Sequence, residues 1–127
     1  MTSKESLHEF NRRLLTIHRV LLDRARRGLE AESGRSIAPL EFLNLLRSEA
    51  SLRWLQPLTD FIVRADALTD KKYELQPHDV AKLKVDFAAL FLAPEKEAPL
   101  APYAAGIRND PELRALHERI LEAFERI

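Results

Sequence analysis

The chain has no cysteine in its 127 residues, which excludes disulfides and thiolate chemistry and is compatible with a cytoplasmic location. Glycine is scarce too. Gly28, Gly34 and Gly106 stand far apart, so there is no glycine-rich phosphate loop and no Gly-x-Ser-x-Gly nucleophile elbow. Charge of one sign is not in excess: 20 Lys and Arg balance 20 Asp and Glu, leaving no global field for nucleic acid or an anionic membrane. Long hydrophobic runs are missing as well. The longest, Phe87 to Pro94, is far short of the roughly 18 residues that span a bilayer, and only Leu7 and Phe10 interrupt the polar start, so no signal-peptide core is expected.

Helical periodicity fills the space these absences leave. Leu7, Phe10, Leu14, Ile17, His18, Leu21, Leu22, Ala25 and Leu29 recur at three- and four-residue spacing, predicting one long amphipathic helix over Lys4 to Glu32. Thr2 with Glu5 fits a capping box at its start, and Gly34 is placed to stop it. Pro39 opens a short second helix whose Leu40, Phe42, Leu43, Leu45 and Leu46 suggest a plug for the bundle. A third helix, capped by Ser48 or Ser51 and kinked at Pro57, carries Leu52, Trp54, Leu55, Leu58, Phe61, Ile62, Ala65 and Leu68 inward, with Trp54 as core anchor. Pro77 opens a fourth helix with Val80, Leu83, Phe87, Leu90 and Phe91 inward, which Pro94 ends. Asn109 or Asp110 caps the last, with Pro111 in its first turn and Leu113, Leu116, His117, Ile120, Leu121 and Phe124 on its stripe. The fold class expected is all-α: one domain over residues 1–127, an up-and-down helical bundle of four long helices plus one short helix. A Pro-rich extended segment, Pro94 to Asp110, precedes the last helix. The apolar spacing is similar to that of many small bacterial helical bundles, with no motif that attaches it to a family.

Few residues point to chemistry. His117-Glu118 begins like a zinc-protease helix, but Leu121 stands where the second histidine belongs. A di-iron bundle requires two Glu-x-x-His units, and only Glu5 to His8 fits. His18 and His117 lie on apolar stripes with Asp66 at the edge of another, and together they form a candidate interior site for a small ligand or metal. No cofactor, metal set or catalytic residue is assigned.

Surface chemistry is more distinctive. Arg12, Arg13, Arg19, Arg24, Arg26 and Arg27 face away from the first stripe against Asp23 alone, a local charge of +5. Glu9 with Arg13 and Asp23 with Arg27 have the spacing of intrahelical ion pairs, which makes a solvated face one account of this cluster. Phosphate or acidic-partner binding is the other. Tyr103, Ile107 and Arg108 could present a further anchor for a partner. The leading expectation is therefore a soluble, non-enzymatic bundle acting through protein contacts, either self-association as a homodimer or an adaptor role. A nucleic-acid-associated or regulatory protein using Arg12, Arg19, Arg24, Arg26 and Arg27 is the alternative, and a ligand or metal carrier is the third. No membrane association is expected.

Overall fold

A computed structural model describes residues 2–91 and 109–127. These form five α-helices and one 3-10 helix, with no strand among the described residues. Tyr103, Ile107, Arg108 and all of the proposed extended segment before Asn109 lie outside them.

Helix α1 spans Ser3–Ser33 and buries Leu7, Phe10, Leu14, Ile17 and Leu21, one per turn. Its ends are set locally. Thr2 Oγ1 accepts from the Glu5 N–H at 3.1 Å, and Gly34 at φ 72° donates its N–H back to Glu30 O at 2.9 Å. At 1.5 Å per residue α1 is about 45 Å long, and two other helices, α3 (Gln56–Leu68) and α5 (Pro111–Glu125), pack along it.

Helix α2 (Pro39–Ser48) starts on its proline, but it does not plug the bundle. Only Phe42 is buried. Leu40 is 71% and Leu43 54% exposed, because α2 packs chiefly against residues Ala50–Leu55, and that contact covers one side of a helix that is apolar on both.

The kinked third helix is replaced by two elements. A 3-10 helix, Ala50–Leu55, is followed by α3, Gln56–Leu68, with Pro57 in its first turn. Proline lacks an N–H that the first turn would not use, so beginning a helix there costs less than bending one. The apolar phase persists because Leu52 and Leu55 of the 3-10 helix are buried in the same core as Leu58 and Phe61. Neither Ser48 nor Ser51 caps: the 3-10 helix follows Glu49 without a side-chain cap, and the Ser48 hydroxyl donates to Asn44 O at 3.0 Å.

Helix α4 (Pro77–Phe91) has Asp79 in its first turn, where Oδ2 accepts from the Gln76 N–H at 2.9 Å and the Tyr73 hydroxyl at 2.7 Å. Helix α5 (Pro111–Glu125) is capped by Asp110, whose Oδ1 accepts from the N–H groups of Glu112 at 3.0 Å and Leu113 at 3.3 Å.

The core centres on four phenylalanines rather than on Trp54. Phe10 of α1, Phe61 of α3, Phe87 of α4 and Phe124 of α5 bring their rings together, with centroids 5.3 Å apart for Phe10 and Phe87 and 4.4 Å for Phe87 and Phe124. Each of these four helices contributes one ring, which fixes all four to a common level. Trp54 is half-buried at the margin, in a groove with Leu29, Ser51 and Leu113.

Candidate docking surface

His18 and His117 are both half-buried in the bundle. His18 is half-buried between α1 and α3, with Nε2 2.9 Å from Thr59 Oγ1. That hydroxyl gives its single proton to Leu55 O at 3.1 Å. With the hydroxyl so engaged, a proton on His18 Nε2 completes the pair. Burial holds the His18 pKa below its ordinary value. Burial lowers that of His117 as well, opposed by the neighbouring Glu118 carboxylate. Asp66 joins neither through its observed bond: it is exposed, and its Oδ1 accepts from Asn11 Nδ2 at 3.3 Å. Among the described residues no group of three His, Asp or Glu side chains has the arrangement to hold a metal ion.

The arginine face of α1 is largely neutralised. Glu9 holds Arg12 at 2.6 Å and Arg13 at 3.0 Å, and Asp23 holds Arg26 at 2.7 Å and Arg27 at 3.0 Å. Both four-residue pairs legible in the sequence are made. Arg24 turns to α5, where it pairs with the capping Asp110 and, at 3.1 Å, with Glu112. The hydrogen bond from Arg24 pulls the Asp110 pKa down, and Asp110 raises that of Arg24. Six arginines now stand against four carboxylates, a net charge of two in place of five. Among the described residues, Arg19 is the one member of the six without an ion pair.

Arg19 faces α2. Between the two helices lies an open groove of about 380 Å³ with Leu22, Phe42, Leu43 and Leu46 as its apolar lining, and Arg19, Asp23 and Arg26 at its side. Arg26 is turned toward Asp23 there, leaving its Nε buried and without an acceptor. Across α2 a second groove of about 230 Å³ is lined by Leu43, Leu46, Leu52 and Leu55 with Arg47, Gln56 and Thr59. Leu43 and Leu46 line both. Leu40, Leu43 and Arg47, spaced three and four apart, form one exposed row along the crest of α2. Arg47, like Arg19, has no ion pair among the described residues.

Inspection of single residues in the sequence misses this surface. Its signal is an excess: α2 has Leu40, Phe42, Leu43, Leu45 and Leu46 within ten residues, more than one buried face accommodates.

No protein-family profile matches the chain, and searches of curated proteins and of solved structures likewise return no significant match. The class defined by the structure is an all-helical protein in which no described helix is long and apolar enough to cross a membrane.

Proposed function

We propose that this chain is a non-enzymatic, single-domain helical bundle that acts through protein contacts, and that the outer face of α2 is where a partner docks. The up-and-down order of helices expected from the sequence is part of this proposal, as is a cytoplasmic setting, which suits a chain without cysteine. One observation carries the reading: a helix apolar on both faces lies at the surface with Leu40 and Leu43 in solvent. A contiguous exposed apolar patch rimmed by charged side chains is a mark of an interaction surface. Nucleic-acid binding through the arginine face has less support, because five of its six arginines already hold carboxylates.

The test is site-directed photocrosslinking in the native host, with a photoreactive residue at position 43 and a control at Lys82, an exposed site on α4. Crosslinks confined to position 43 and lost in a Leu40→Asp background are expected. Equal yields at both positions would refute the assignment of α2.

A further inference from the structure

We infer that the occupant of the α2 face is an acidic amphipathic helix of another protein, whose leucine-type side chains seat over Leu43 and Leu46 and whose flanking carboxylates meet Arg19 and Arg47. This rests on the docking role proposed above and specifies its partner.

Charge supplies the first step. The apolar crest of α2 has a cation on each side: Arg19 lines the groove toward α1 and Arg47 the groove toward the 3-10 helix, and neither has an ion pair among the described residues. Two acids of this region are engaged. Asp23 holds Arg26 and Arg27, and Glu41 holds Arg35 at 2.8 Å. An incoming surface that covers the leucines therefore meets uncompensated positive charge on both edges. An apolar stripe bordered by Glu or Asp on both sides is complementary to that pattern.

The same charges disfavour other occupants. A second copy laid face to face would bring arginine against arginine, while Asp23 and Glu41 already hold Arg26, Arg27 and Arg35. A phosphate backbone would satisfy the arginines but leave Leu40 and Leu43 uncovered, and the patch has no aromatic side chain on its crest on which bases could stack. Strand addition needs a sheet edge, and no strand exists among the described residues. A helix lying in a groove between helices, anchored by side chains at three- and four-residue spacing, is the recognition mode this surface offers.

Two 18-residue helical peptides test the inference. They share one leucine stripe and differ only in flanking residues, all Glu in one and all Lys in the other. Binding to the full chain is read by fluorescence anisotropy. The Glu peptide should bind at least about tenfold more tightly than the Lys peptide at low salt, with the ratio shrinking as salt rises. Arg19→Glu with Arg47→Glu should invert the preference, and Leu40→Asp with Leu43→Asp should abolish both. Circular dichroism checks that each variant keeps its helix content, and Arg19→Gln with Arg47→Gln replaces the reversal if it unfolds.

Equal binding of the two peptides, still dependent on Leu43, overturns the acidic partner and leaves the docking role standing. No binding of either, with a dimer in sedimentation that Leu43→Asp splits, makes the occupant a second copy and also overturns it. No binding with a monomer removes both this inference and the docking role.

Discussion

At the scale of single residues, pH should act through the two half-buried histidines. Burial lowers both pKa values, so as pH falls the unfolded chain takes up protons before the folded one does. Their contribution to stability is complete above the ordinary histidine value of about 6.5 and is lost as pH drops from there through the folded-state values. The thermal midpoint should accordingly decline between pH 7.5 and about 5, before the carboxylates begin to titrate, and His18→Gln should flatten that slope. A slope unchanged in both His18→Gln and His117→Gln would show that neither histidine is linked to folding. Gly28 within α1 and Gly34 at its C-cap should respond to alanine with opposite signs. Gly28 lies within the helix with nothing within 4 Å of an added Cβ, so Gly28→Ala should stabilise by about 0.5–1 kcal/mol through helix propensity. Gly34 holds φ at 72°, where an L side chain is strained, and Gly34→Ala should destabilise by about 1–2 kcal/mol. Chemical denaturation of the two variants reads both signs.

At the scale of elements, the phenylalanine cluster and Trp54 make contrasting predictions. Phe10 is fully buried and touches rings on three other helices, so Phe10→Ala should cost about 3–5 kcal/mol, enough to threaten folding. Trp54 is larger but lies at the margin, and Trp54→Ala should cost clearly less in the same denaturant titration. Helix boundaries were legible in the sequence wherever a local device set them: Pro39, Pro77 and Pro111 at starts, Gly34 at a stop, Asp110 and Thr2 as caps. Each device works within one turn, so neighbours along the chain contain the whole cause. The burial of Trp54, the surface position of α2 and the pairing of His18 with Thr59 depend on which helix lies opposite. Periodicity shows that a residue faces inward without saying what it meets. Pro57 shows the limit from another side, since an unbroken apolar stripe continued across a boundary between two kinds of helix. The docking surface was half legible: Arg19 stood out as a charge, whereas the exposure of Leu40 and Leu43 required the tertiary structure.

At the scale of the whole molecule, the first and last described helices are each other's principal neighbours. Helix α5 packs against α1, places Phe124 against Phe10 and ties Arg24 to Asp110 and Glu112. A chain ending at Asn109 would leave the inner face of α1 without this cover. Such a truncation should lose cooperative thermal unfolding and resolved methyl signals in NMR spectra while keeping part of its helical circular dichroism. Retention of a sharp transition would show that α1, α3 and α4 suffice for a core. The pairing of α1 with α5 also sets a timetable for biosynthesis. On a ribosome adding about 5–20 residues per second, the apolar stripe of α1 emerges several seconds before the helix that completes its burial exists. The nascent chain thus passes through an interval in which its longest amphipathic surface is only partly covered, and chaperone demand during synthesis should be concentrated there.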